Sequence, residues 1–210
     1  MSTGALPMAT LNSGASIERS QHRVAPGRTS RPIIAEDGLD AAIHEPVSLH
    51  AYDPSWPAIY ALEAERLHGL DPEVFHNLQH IGSTAVPGLP AKPIIDILAG
   101  VGSMAIARSL APLLCAVGYT TSADYNSTLS DRQWFMRFED GRRTHHLHVV
   151  VHESAAWHAR LRFRDALCAD STLRARYVAL KVALAAEHAT DREAYTAAKA
   201  VFVRSVCEAA

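Results

Sequence analysis

The sequence predicts an α/β domain of the α+β kind: a small mixed sheet covered by helices, followed by a C-terminal helical segment. Three observations lead there. Residues 93–101, PIIDILAGV, are a near-continuous apolar run of strand length with one acid inside it. Residues 133–138 and 144–152 alternate across the polar turn Glu139-Asp140-Gly141-Arg142, as two antiparallel strands would. From Trp157 onward the apolar residues recur at helical spacing. With 210 residues the chain can build one good-sized core and a tail.

Taken in order, residues 1–45 are rich in Ser, Thr, Gly, Pro, Arg and Ala. They cannot bury enough apolar surface to offset ordering entropy, so they read as a flexible tail ahead of a folded domain over 46–210. Val47-Ser48-Leu49 reads as a short strand. Asp53 and Ser55 offer N-cap oxygens, and Pro54 and Pro57 suit a first turn. Ile59, Leu62, Arg66 and Leu67 then repeat at helical spacing as far as Leu70, where Asp71-Pro72 stops the helix. Residues 75–81 read as a strand leading into Gly82-Ser83, and Pro87-Gly88-Leu89-Pro90 is irregular punctuation before the apolar strand. A helix over 103–117 ends at Gly118. After the hairpin, Trp157, Leu161, Arg164 and Cys168 form one helical stripe, and Leu173, Tyr177, Leu180 and Leu184 form another. Thr190-Asp191-Arg192-Glu193 has the pattern of a capping box opening the last helix, whose inner face runs Ala194, Ala197, Ala198, Val201, Phe202. The helices are expected on one face of the sheet.

Composition narrows the classes of function. Hydrophobic residues make up 48% and charged residues 20%, and the net charge is −2 with His neutral. That balance gives no overall basic field for nucleic acid or a membrane surface, so any polyanion must be held locally. The expected partner is a nucleotide or another phosphorylated small molecule. Cys115, Cys168 and Cys207 lie far apart without CxxC pairing, which indicates neither a disulfide framework nor a zinc knuckle and suits a reducing, cytoplasmic setting. No apolar run approaches the ~18–20 residues of a membrane helix, and the N-terminus lacks the charged and apolar regions of a secretory signal.

The chemistry concentrates between His80 and Leu98, HIGSTAVPGLPAKPIIDIL. A Gly82-Ser83 pair at a strand end makes a tight turn whose backbone N–H groups and hydroxyl can hold phosphate oxygens, with Thr84 beside it. Asp96 sits in mid-strand between Ile94, Ile95, Ile97 and Leu98, where a bare carboxylate is costly to bury without a cation, N–H donors or a metal. Strand alternation puts Ile94, Asp96 and Leu98 on one face and Ile95, Ile97 and Ala99 on the other. A salt bridge from Asp96 to a nearby Arg or Lys92 is the plain structural alternative. On the later strand, alternation places His146, His148 and His152 together, and a His-x-His pair can grip one metal or one phosphate. Lys92 and His80 are near enough to join a phosphate site, and Arg137, Arg142 and Arg143 are possible clamps. Trp134 is the aromatic left open for nucleobase contact.

The Gly-Ser turn followed by an acid-bearing strand resembles the nucleotidyltransferase superfamily. More specifically, the segment from His80 is similar to the GrpB-like family, as are VSLHAYDPSWPAIYALEAERL, RTHHLHVVVHESAAWHARLRFRDAL and ATDREAYTAAKAVFVRSV, together spanning Val47 to the C-terminus. The resemblance implies a nucleotidyltransferase-like fold in which Gly82, Ser83 and Thr84 hold phosphates with His80, Lys92 and Arg143. It further implies that Asp96 and His148 bind Mg²⁺ or Mn²⁺, and that Asp96, His146 and His148 carry the transfer of a nucleotidyl or phosphoryl group. Some related domains are fused to dephospho-CoA kinase. The superfamily pattern also asks for a second acid two residues after the first, and that position is Leu98, so His146 and His148 are expected to stand in for missing carboxylates. Loss of that acid keeps open a catalytically degenerate, nucleotide-binding or accessory module. A histidine-triad hydrolase would need a third alternating His where Val150 stands.

Overall fold

The structure, a computed structural model, describes residues 36–209. Its first helix, α1 (Glu36–His44), lies inside the stretch that composition assigns to the tail, and Ala42 of that helix is fully buried. The reason is tertiary: α1 lies against the later hairpin, and Arg143 donates from Nε to the Ala42 carbonyl at 2.9 Å and from Nη2 to that of Ile43 at 3.3 Å. The remainder of the expected tail falls outside the described residues.

Helix α2 (Trp56–His68) follows the predicted pattern, with proline in its first turn and the Asp53 carboxylate accepting from the Ser55 N–H at 2.8 Å. Strand β1 (Asn77–Ile81) then runs into a single 3-10 turn, Ser83–Ala85, and β2 (Ile95–Val101) is the expected apolar strand. The helix expected over 103–117 is two, α3 (Met104–Ser109) and α4 (Ala111–Ala116), meeting at Leu110. Pro112 has no N–H to continue the ladder, so the chain restarts there. Two short elements escaped the sequence, strand β3 (Tyr119–Thr120) and helix α5 (Ala123–Ser127).

The hairpin is β4 (Gln133–Glu139) with β5 (Arg142–Val151). Its loop is the pair Asp140-Gly141 at φ 49° and 70°, the left-handed conformations that a type I′ turn requires. Helices α6 (Ala155–Ala169), α7 (Ser171–Glu187) and α8 (Arg192–Ala209) complete the chain. The cap of α8 is Asp191, whose carboxylate accepts from the Ala194 N–H at 2.9 Å, rather than the expected Thr190.

The sheet is mixed, in the order β1-β2-β5-β4-β3, with β2 and β5 parallel and every other pair antiparallel. Residues 47–49 pair with no strand; the Val47 N–H donates to Ala189, and only His50 bridges, to Ala91. The helices cover both faces of the sheet, not one. On the first face Ile95, Ile97, Ala99, Val101, Phe135, Leu147 and Val149 pack with residues of α2, α3 and α4. On the second, Leu98, Val150 and Ile81 pack under Trp157 of α6. Val86 and Leu89 join the C-terminal helices through Leu167 and Tyr177. The second face is apolar at its α6 end and polar at the other, and that asymmetry leaves room for a site.

Candidate functional site

Asp96 stands at the start of β2, opposite Ile81 on one side and His146 on the other. Alternation brings Asp96, His146 and His148 to the second face. Asp96 Oδ1 lies 3.1 Å from His146 Nδ1 and 3.8 Å from His148 Nε2. Their side chains are 27%, 14% and 20% exposed, so the cluster is partly desolvated yet open to solvent. Burial alone would push the Asp96 carboxyl up, but hydrogen bonding and charge from His146 and His148 outweigh it and hold it below the ordinary carboxylate range. Burial pulls His146 down to about 4 against the raising influence of Asp96, so the ring is neutral at pH 7. An ionised Asp96 then takes the Nδ1–H of His146 and leaves Nε2 as a bare lone pair. That Nε2 is buried and has no partner among the described residues, and the same holds for His148 Nδ1.

The Gly82-Ser83 turn is built against this carboxylate. Gly82 adopts φ 72°, ψ −169°, a conformation costly for any residue with a side chain. A Cβ added there would lie 2.9 Å from Asp96 Cβ and Cγ and closer still to Oδ2. Gly82 therefore supplies both the backbone turn and the close approach. Among the described residues the partners of Asp96 are the imidazoles of His146 and His148, in place of the plain alternative of a salt bridge to an Arg or Lys92. Behind the turn, the buried Thr84 hydroxyl donates to the Ile94 carbonyl at 3.3 Å and lies 3.0 Å from His80 Nε2. Because that hydroxyl's proton goes to Ile94, His80 carries hydrogen on Nε2. His80 stacks on Tyr60 at 4.8 Å on the first face of the sheet, so His80 and Thr84 brace the turn from the rear.

Cations reach the turn from elements whose role composition does not reveal. Lys181 of α7, only 2% exposed, donates to Ser83 Oγ at 3.3 Å and to the Pro90 carbonyl, over the Tyr177 ring. Burial, with the charge of Lys199 adding, lowers it to about 7. Lys92 and Lys199 both lie on the Tyr195 ring, at 5.2 and 4.3 Å from its centre. Lys181 was missed because it stands beside, and is not a member of, the apolar stripe Leu173, Tyr177, Leu180, Leu184; its signal was a lysine flanked at four and three residues by Tyr177 and Leu184. Of the clamps, Arg143 is engaged with the carbonyls of α1. Arg137 lies on the opposite face, 2.9 Å from the buried Glu63, which also binds Arg66 and the Tyr119 hydroxyl. Trp134 does stand beside the site, 5.3 Å from His146 and 5.5 Å from Tyr125, ring centre to ring centre.

Whether the donors suit a metal follows from their number. Leu98, at the place of a second acid, is 0% exposed inside the apolar cluster under Trp157. No group of three or more His, Cys, Asp or Glu side chains among the described residues is arranged to hold a metal ion. Among the described residues no two-metal site is built. Asp96 and His148 suit only an ion that arrives on phosphates and keeps most of its ligands from them and from water.

Comparison with known proteins gives a consistent picture. The family profile described as GrpB protein matches residues 46–209. The chain is 34% identical over 166 residues to a UPF0157 protein of Halalkalibacterium halodurans, covering 78% of this chain and 82% of that one. It is 32% identical over 181 residues to a protein named dephospho-CoA kinase of Mycolicibacterium paratuberculosis, of which it spans only 44%. Among solved structures it is similar to conserved protein GrpB from Enterococcus faecalis, with a TM-score of 0.68 and 29% identity over 77% of this chain and 96% of that one. No helix among the described residues is long and apolar enough to cross a membrane.

Proposed function

The chain belongs to the GrpB family, and we propose that its second sheet face binds the phosphates of a nucleotide and transfers a nucleotidyl or phosphoryl group to an acceptor. The observation that supports this reading is the closure of Gly82 on Asp96, which sets a turn of the kind that suits phosphate oxygens against an Asp-His-His cluster. Phosphate oxygens would take the N–H groups of the turn and the Ser83 hydroxyl, whose position Lys181 fixes. Asp96 holds His146 in one tautomer, and the bare Nε2 accepts the proton of the acceptor hydroxyl as its oxygen attacks phosphorus and the leaving phosphate departs. A Mg²⁺ or Mn²⁺ ion carried in by the phosphates would meet Asp96 and His148 and neutralise phosphate charge.

The buried Leu98 favours a second reading, in which the cleft binds nucleotide without turnover as an accessory module. Calorimetry with the four common nucleoside triphosphates and an assay for released pyrophosphate and nucleoside diphosphate, each with Mg²⁺ or Mn²⁺, separate the two. Turnover present in the parent and lost in Asp96→Asn and His148→Ala supports transfer. Binding without turnover under either metal selects the accessory reading. No nucleotide binding at all sinks both.

A further inference from the structure

Beyond Asp96 the second face continues onto β4 and α6, and there it gathers charge that the transfer reading does not use. Trp134 of β4 is the register partner of His148, so alternation puts Arg132, two residues earlier, on the same side. Arg160 of α6, one turn after Trp157, comes to the same place. Both guanidiniums use one carboxylate: Arg132 Nη1 lies 3.1 Å from Asp131 Oδ1, and Arg160 Nη2 lies 3.4 Å from Asp131 Oδ2. Asp131 is itself 44% exposed, while the two arginines are 25% and 19% exposed. Arg160 Nη1 donates to the Ala156 carbonyl at 2.7 Å.

What remains unused is informative. Arg132 Nε is buried with no hydrogen-bond partner, and so is His148 Nδ1. An orphaned buried donor costs about 1–3 kcal/mol, so the unpartnered Nε–H of Arg132, with the Arg160 guanidinium on the same carboxylate, is arranged for an acceptor to enter. Like charges also crowd here. Burial and the charge of Arg132 lower the Arg160 guanidinium. The groups facing Arg160 are Arg132, Asp131 and the Cys207 thiol, so a single carboxylate is shared by two guanidiniums.

We propose that the guanidiniums of Arg132 and Arg160, beside His148, form an oxyanion subsite that takes a phosphate-ester or carboxylate group of the acceptor. Its description as the acceptor's subsite rests on the transfer reading; anion binding there does not. The acceptor is then an anionic small molecule, gripped at its charged end while its hydroxyl faces His146. Guanidinium pairs suit such planar or tetrahedral oxyanions through paired N–H donors.

The test titrates inorganic phosphate, glycerol 2-phosphate and acetate into the full chain and follows the imidazole NMR signals, with His148 assigned by its loss in His148→Gln. Saturable movement of the His148 signal in the parent is expected, with affinity about tenfold weaker in Arg132→Gln and in Arg160→Gln. The tighter of the phosphate and acetate series identifies the group. Asp131→Asn, which removes the competing carboxylate, should tighten binding about threefold or more. Equal affinity in parent and arginine variants, or a His148 signal that neither anion moves, overturns the proposal. Should the arginine variants fail to fold, unchanged affinity in Asp131→Asn overturns it alone. Nucleotide titrations on the same samples keep the two readings apart: lost nucleotide binding with phosphate binding intact removes only the transfer reading, and the reverse removes only the subsite.

Discussion

At the scale of single residues, Gly82 and the two lowest-lying histidines carry the sharpest consequences. Gly82→Ala forces a side chain into φ 72° and drives its Cβ into Asp96. A destabilisation of about 1–3 kcal/mol is expected, with loss of nucleotide binding, read by denaturant unfolding and calorimetry. An alanine variant of parental stability would mean that Asp96 moves freely and that the turn is not keyed to it. Burial also holds His80 and His146 at about 4, below the 6.5 of an unconstrained histidine. Between those values the unfolded chain binds more protons than the native one, so stability falls as pH drops from about 6.5 towards 4. The lowered Asp96 adds a further loss below about 3.8. Unfolding free energies measured from pH 7.5 to 4.5 without divalent metal should decline, and His146→Gln should decline less; a flat parental profile contradicts the burial of these rings. Gly82, Ser83 and Asp96 were legible because each breaks a local rule: a turn at a strand end, and an acid inside an apolar strand.

At the scale of elements, β2 shows what the family resemblance leaves open. Its one face is core throughout, and its other changes from Asp96 to Leu98 within a single alternation. Restoring the missing acid as Leu98→Asp would place a carboxylate among Ile81, Val150 and Trp157, with the neutral imidazole of its register partner His148 as the polar neighbour. A loss of about 3 kcal/mol or more is expected, with no gain in metal-dependent turnover. Equal stability together with new activity would show that the position had merely been vacated and not given over to packing. The apolar strand and the Asp-Gly hairpin were readable because period and turn chemistry are local. Strand β3 and helix α5 were not. Two residues carry no period, and they are held from a distance, Tyr119 by Glu63 and Asn126 by Trp134. The helix break at Pro112 was readable in principle, since proline in mid-pattern is a local signal.

At the scale of the whole molecule, the site is joined from two halves of the chain, and Lys181 is the tie. The sheet supplies Gly82, Ser83 and Asp96, whereas α7 reaches across to hold Ser83 and the Pro90 carbonyl. Such long-range contacts leave no periodic trace, which is why the stripe Leu173, Tyr177, Leu180, Leu184 does not single out the lysine beside it. Lys181→Met keeps the side-chain length and removes the cost of burying an amine, while it orphans the Pro90 carbonyl and frees Ser83. These effects offset, so stability at pH 7 should change by about 1.5 kcal/mol or less, while nucleotide affinity falls about tenfold as the turn loosens. A second readout separates tie from filler. Lys181 sits at about 7 in the fold and 10.5 when unconstrained. Over that interval the unfolded state binds the extra proton, so parental stability should rise with pH between about 7.5 and 9.5, below the range where the tyrosines ionise. The variant should lose that rise. If affinity falls but the pH slope persists, the amine is not buried as the structure places it; if the slope vanishes but affinity holds, Lys181 stabilises the fold without setting the phosphate turn.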